Sequence, residues 1–492
     1  MISLVSLKPL LAVLISLAVI PILISARSAN LREGWTFAAA FIKFGLIASM
    51  LPVILAGNRL EFTIAPLLPG VDFKLQVDAL GLLFALVASF LWIVTSAYSI
   101  GYMRGLKEHG QTRYYCFFAA SLSATIGVAF SANLLTMYIF YEILSLTTYP
   151  LVTHHQDQES RRSGRKYLSY IMGGSIGLVL PAMLVLYLLT GTLDFVNGGL
   201  PGINLKPVLA LPLLLMFVFG FSKAGIMPMH AWLPAAMVAP TPVSALLHAV
   251  AVVKVGVFCV FRIISDVFGP GLLAGLGLDT LLCWIAAATI LISSLIALSQ
   301  DNLKRRLAFS TIGQLSYIVL GAALLSTSGM TGGMLHIAMH AFGKITLFFC
   351  AGAIMVTTGI KNISEMTGLG KQMPVTMAAF FIGALSVIGL PPCGGFISKW
   401  HLAIGTIESG QPAMLAVLLT SSLLNAAYFL PIVYRAFFCP PDESGFENKI
   451  TEAPGWALTP PVLTAVISIL LFFYPQPFLN LSRIAVSGIL GG

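Results

Sequence analysis

Long apolar runs separated by short polar connections follow one another along the whole chain. A helix needs about 20 apolar residues to cross the hydrocarbon of a bilayer, and about fourteen runs meet that requirement. They cover residues 2–25, 36–57, 78–101, 113–130, 133–153, 167–190 and 208–238. They continue as 243–261, 273–298, 307–327, 332–357, 375–405, 412–434 and 458–480. The seventh and twelfth exceed the needed length and contain proline or glycine, which predicts broken helices. The runs are continuous rather than alternating, so a transmembrane β-barrel is excluded. The first run, Leu10 to Ile24, lacks a small-residue cleavage pattern and reads as a span rather than a signal peptide. The expected fold is an all-α polytopic membrane protein.

Composition supports that class. The 492 residues are 58% hydrophobic and only 9% charged, with mean hydropathy +0.94, too little charge to cover a soluble domain of this length. A net charge of +9 in a soluble protein would point to nucleic acid; here it reports orientation instead, and no nucleic-acid partner is expected. Connections after odd-numbered spans hold sixteen basic residues, among them Arg104, Arg161, Arg162, Lys304 and Lys361, whereas those after even-numbered spans hold only Arg59, Lys74, Lys206 and Arg262. Cytoplasmic connections are enriched in Lys and Arg, so both termini are expected on the outer side of a prokaryotic cytoplasmic (inner) membrane.

The six cysteines (Cys116, Cys259, Cys283, Cys350, Cys393 and Cys439) are scattered with no CxxC pair. They read as small buried hydrophobes rather than a metal site or disulfides. No glycine-rich nucleotide motif is present, and no cofactor is expected in this chain.

Charges within the apolar runs carry the chemistry, because each costs ~2.5–3.5 kcal/mol at bilayer depth and marks a functional or paired group. Lys223, in FSKAGIMPMHAWLP, and Lys399, in GLPPCGGFISKW, each sit within a few residues of a helix-breaking proline and each follow a serine. They are 176 residues apart, and that offset maps spans 4–8 onto spans 9–13. Five helices is an odd number, so the second unit would be inverted. The expected organisation is three N-terminal helices (1–110), a first five-helix repeat (111–265), a second (270–437), then an acidic loop and last helix (438–492).

Glu142 lies deep in an apolar span, LLTMYIFYEILSLTTYPL. A nearby cation would hold it ionised, and Glu142 would in turn favour the charged form of Lys223. Such a pair is either a static packing device or a proton switch, since each member's protonation depends on the other. Lys254 is the next buried cation; His248, six residues earlier, is either a path residue or a hydrogen-bonded core histidine. His336, His340 and Lys344 recur at i, i+4 and i+8, one helix face over ~12 Å at 1.5 Å per residue. Imidazole titrates near neutrality and suits proton relay. A metal at His336 and His340 lacks a suitable third ligand. Lys43 is expected to snorkel toward the interface, His230 either lines water or caps freed backbone, and Asp78 opens the third span as an ordinary helix-end carboxylate.

With these residues placed, the chain resembles the antiporter-like subunits shared by complex I, Mrp cation/proton antiporters and membrane-bound hydrogenases. The resemblance covers about residues 75–440 and rests on YEILSLTTYPL, FSKAGIMPMHAWLPAAMVAPTPVSALLHAVAVVKVGVF, DNLKRRLAFSTIGQLSYI and GLPPCGGFISKW. It implies fourteen helices, two inverted five-helix repeats and a central axis moving protons. Carried over by motif, Glu142 and Lys223 form the coupling pair and Lys254 the central bridge; His336, His340 and Lys344 continue the route, and Lys399 serves the exit. A lysine rather than a glutamate at 399 argues against the M-type component of complex I, and the chain stops before any long lateral helix of the L type. The implied role is that of a proton-translocating member of a redox complex, working with other membrane subunits and in contact with lipid. The alternative is the D subunit of a gradient-driven Mrp-type Na⁺/H⁺ antiporter.

Overall fold

The computed structural model describes residues 2–200, 205–440 and 450–491, except the side chain of His248. Helix α1 (Lys8–Ser25) starts later than expected and α2 (Ala29–Ala48) lies seven to nine residues earlier, whereas α3 (Ala79–Gly105), α4 (Gln111–Ala129) and α5 (Leu134–Val152) follow the expected spans within a few residues. The sixth segment, α6, runs from Gln158–Gly174 through a π-turn to Leu180–Thr190. The seventh, α7, is broken: Pro207–Gly220, a tight turn at Ser222–Ala224, then Trp232–Ala235 and Ala236–Val238. The eighth, α8, starts at Thr241–Ala245 and continues through Val252–Arg262 to Ile263–Phe268.

Then come α9 (Leu278–Ser299), α10 (Leu303–Ala323) and the 32-residue α11 (Thr327–Thr358). Helix α12 is the second broken one, Pro374–Ile388 and Gly394–Glu408, followed by α13 (Pro412–Phe438) and α14 (Gly455–Phe473). A final helix, α15 (Gln476–Leu490), corrects the expected last span of 458–480. Pro475 and Pro477 cannot continue an α-helical ladder, so the chain turns there and starts again. Residues 441–449 of the expected acidic loop lie outside the described residues.

The second departure is a small sheet. Strands β1 (Ser3–Val5), β2 (Arg59–Leu68) and β3 (Val71–Val77) pair in the order β1-β2-β3, the first pair parallel and the second antiparallel. Leu60 faces Val77 and Glu61 faces Gln76, and Lys74 reaches Glu61 at 2.6 Å. The segment joining α2 to α3 alternates aromatic and branched residues with polar ones around a Pro-Gly turn, a hairpin pattern that the apolar-run reading passes over.

Helix α11 is the axis of the molecule. Its most apolar stretch is wholly buried, and it packs against α3, α8, α10, α12, α14 and α15. At 1.5 Å per residue it is about 48 Å long, enough to carry side chains across the whole hydrocarbon. Helices α1 and α2 lie at the edge, where most of their apolar surface is open.

Two readings of single residues need correction. Lys43 does not snorkel: it is fully buried, its Nζ donates to Ser16 Oγ at 2.7 Å, and it lies over the Trp92 ring at 5.4 Å. Helix α2 begins seven residues earlier than expected, which moves Lys43 too far inward to reach the interface. Arg262 is not in a connection: α8 extends past it, and it is buried between Asp78 and Asp266 at 2.7 and 2.8 Å. Asp78 does cap α3, accepting from the Gly81 amide at 2.8 Å, but its carboxylate also anchors Arg262.

Candidate functional site

The break in α7 frees backbone groups at bilayer depth, and such groups need partners inside the protein. The Lys223 amide donates to the Tyr141 hydroxyl at 3.2 Å, and Trp232 Nε1 donates to the Ser222 carbonyl at 2.9 Å. The turn brings the Lys223 ammonium to α5, where it donates to the Tyr141 carbonyl at 2.5 Å and to Ser145 Oγ at 2.7 Å, above the Tyr141 ring. Gly256 of α8 packs directly on this turn; a Cβ there would stand 2.0 Å from the Ala224 nitrogen.

The Glu142–Lys223 ion pair read from the sequence is not formed in this structure. Among the described residues no salt bridge reaches Glu142, and both its carboxylate oxygens are buried without a hydrogen bond. Successive residues are about 100° apart around a helix. Tyr141 and Ser145 face the lysine, which turns Glu142 aside, toward the flank carrying the exposed Ile143 and Leu146.

Lys254 and the histidines do come together. Lys254 Nζ lies 2.7 Å from His340 Nδ1, the rings of His340 and His336 stack at 5.6 Å, and His336 Nδ1 lies 2.8 Å from Ser398 Oγ. The other nitrogen of His336 meets Gln314 Oε1 at 3.1 Å. Ser398 precedes Lys399, so this row ends beside the second break. Lys399 Nζ donates to the Ile388 carbonyl at 2.9 Å, freed where α12 stops, and to Ser422 Oγ at 3.1 Å, over the Tyr317 ring at 4.8 Å.

Lys344 leaves the row. It shares the helix with both histidines, but its Nζ donates to Ser310 Oγ at 2.7 Å and contacts the Leu307 carbonyl at 3.4 Å on α10. Ser310 in turn accepts from the Tyr428 hydroxyl at 2.8 Å, which forms a branch toward α13. His248 is on α8 between the Lys223 turn and Lys254; its side chain lies outside the described residues. His230 follows the first break, half-buried, with Nδ1 unbonded. Sequence reasoning missed the serines, Tyr141, Gln314 and Tyr317. Only Ser222 and Ser398, adjacent to the two lysines, gave a signal.

A polytopic helical protein with a lysine at each of two helix breaks and a buried Lys–His row between them defines an ion-translocating membrane protein of the antiporter-like class. Residues 131–425 match the family described as NADH:quinone oxidoreductase/Mrp antiporter, TM, and residues 69–115 match NADH-Ubiquinone oxidoreductase (complex I), chain 5 N-terminus. The chain belongs to that NADH:quinone oxidoreductase/Mrp antiporter family.

It is 34% identical to the N subunit of the NADH-quinone oxidoreductase of Desulforudis audaxviator, over 91% of this chain and 90% of the relative. It is 30% identical to the A subunit of the Na(+)/H(+) antiporter of Alkalihalophilus pseudofirmus and 31% identical to Hydrogenase-4 component B of Escherichia coli. Those alignments cover 91% and 85% of this chain but only 58% and 64% of the longer relatives. In fold it is similar to a chain of the Mrp complex from Dietzia, with TM-score 0.86 over 99% of this chain and 98% of that one at 22% identity. It is also similar to a chain of an archaeal membrane-bound sulfane sulfur reductase, with TM-score 0.88 over the same shares at 24% identity. Relatives and structural neighbours alike are subunits of multi-subunit membrane complexes, and they do not favour the Mrp reading over the redox one.

Proposed function

We propose that this chain translocates protons as one subunit of a multi-subunit membrane redox complex of the complex I or hydrogenase type. The observation that carries the proposal is the row Lys254–His340–His336–Ser398, which links the α8 side of the molecule to the α12 break. Proton transfer needs groups that take up and release a proton within hydrogen-bond reach of one another, and lysine and imidazole supply them where water is scarce. Lys223 receives the drive from Glu142 and Lys399 delivers to the outlet, with Lys254 and His340 between them. The carboxylate of Glu142, buried and unbonded, is the group whose charge state most readily changes what Lys223 experiences.

In this reading redox chemistry sits in partner subunits and this chain holds no cofactor of its own. The two five-helix units are inverted repeats, supported by a break and a lysine in the fourth segment of each. The odd-numbered connections face the cytoplasm of a prokaryotic inner membrane, supported by their excess of basic residues. The rival is membership of a gradient-driven Na⁺/H⁺ antiporter, for which the likeness to the Alkalihalophilus antiporter speaks.

The test uses the purified complex in sealed vesicles. Lys223→Ala and Glu142→Ala should each leave the complex assembled while proton uptake falls to background. Wild-type uptake by both variants would sink the proposal. Iron–sulfur or nickel signals in co-purifying subunits favour the redox reading; Na⁺-driven proton exchange without them favours the rival.

A further inference from the structure

The connection between α3 and α4 and the segment after α5 converge on the face of the odd-numbered connections. They bring together Glu108, His109, His154 and His155. One ligand atom from each of Glu108, His109 and His154 lies within 4.8 Å of the other two. Glu108 Oε2 is 3.9 Å from His154 Nε2 and 3.6 Å from His155 Nδ1. The rings of His109 and His154 have centroids 5.0 Å apart. The 3.9 and 3.6 Å separations from Glu108 approach the ~3.4 Å edge of a tetrahedron with ~2.0–2.1 Å metal–ligand bonds.

His154 supplies the independent observation. It is fully buried, yet neither ring nitrogen makes a hydrogen bond. Buried polar groups are normally satisfied, and this imidazole lies beside two further imidazoles and a carboxylate, a donor set able to bind a cation. Its backbone is fixed from the other side, because Arg113 Nη2 donates to the His154 carbonyl at 2.7 Å.

We propose that Glu108, His109 and His154 form a site for a late first-row divalent cation, Zn²⁺ being the probe. His155 or water takes the fourth position. Imidazole nitrogen with one carboxylate suits zinc, and the set carries one negative charge against the ion's two. From the sequence, metal enters consideration only at the cysteines and at His336 and His340, not at this cluster. Such an ion would fasten two connections together at the rim of a cavity of about 700 Å³ lined by His155, Asp157, Arg162, Lys166 and Lys304. This site stands apart from the Lys–His row and does not depend on the translocation proposal.

The experiment titrates Zn²⁺ into the purified full complex against a chromophoric chelator, in wild type and variants. His109 is exposed, so His109→Ala leaves the fold intact and is the deciding variant. We expect wild type to hold one more zinc per chain than His109→Ala, or to hold it tighter by about tenfold or more. Glu108→Gln should behave like His109→Ala. Co²⁺ in place of zinc should give tetrahedral visible bands that His109→Ala lacks. Identical titrations for wild type and His109→Ala, or no zinc uptake by wild type, would overturn the site. Neither readout requires proton translocation, so a failure here is distinguishable from a failure of the transport role.

Discussion

Lys223, Lys344 and Lys399 are held in the same manner: one backbone carbonyl, one serine hydroxyl and one aromatic face. Among the described residues no carboxylate forms a salt bridge with any of the three. A carboxylate would lock an ammonium in its charged form, whereas a hydroxyl both donates and accepts. It can receive a hydrogen bond from –NH₃⁺ and give one to –NH₂, so the lysine keeps a partner in either state. Hydrogen bonds to charged groups are worth about 1.5–3 kcal/mol. Ser145→Ala should therefore slow proton uptake by about tenfold or more, while Ser145→Thr, which keeps the hydroxyl, retains most of it. Initial uptake rates in vesicles decide the matter, and equal rates for wild type and Ser145→Ala would count against this role. The lysines were legible because a charge inside an apolar run is conspicuous. Their serine partners were not, since membrane helices commonly carry serines that bond their own backbone.

The two breaks place the lysines, and each is packed by glycine. A Cβ on Gly256 would lie 2.2 Å from the Lys223 carbonyl carbon, and one on Gly389 would lie 2.5 Å from Lys399 Cδ. Backbone cannot yield as a flexible side chain can, so Gly256→Ala must push the α7 turn off α8. Overpacking of this kind costs about 1–3 kcal/mol. We expect a lower midpoint of thermal unfolding together with a loss of proton uptake. Gly271→Ala, at a position with nothing within 4 Å, should change neither. A Gly256→Ala protein matching wild type in both measurements would refute the packing argument. The sequence made the breaks visible through Pro228, Pro391 and Pro392. It did not show Gly256 as their counterpart, because that contact joins positions more than thirty residues apart in the chain.

For the whole molecule, the Asp78–Arg262–Asp266 cluster ties the start of α3 to the end of α8. Breaking a buried ion pair by removing one partner costs about 3–5 kcal/mol. Arg262→Met, which strips the buried Asp266 and the partly buried Asp78 of their shared cation, should lower the thermal midpoint clearly. Adding Asp266→Asn should recover part of the loss. A midpoint unchanged in Arg262→Met would show that the cluster contributes nothing. The spans themselves were readable, since apolar length is a strong signal. The cluster was not: Arg262 sits where the apolar run fades, and only the extension of α8 by a further π-turn draws it and Asp266 inside.

Helix α11 is enclosed by α3, α8 and α10, made earlier by the ribosome, and by α12, α14 and α15, made later. While the chain is being synthesised, its two histidines and lysine enter the membrane with half their enclosure missing. Those polar groups must wait in the translocon, or lean on α8 and α10, until the remaining walls arrive. The closing helices thus decide when the protein becomes lipid-tight, and a copy stalled before α14 would leak polarity into the bilayer whatever the quality of its first ten helices.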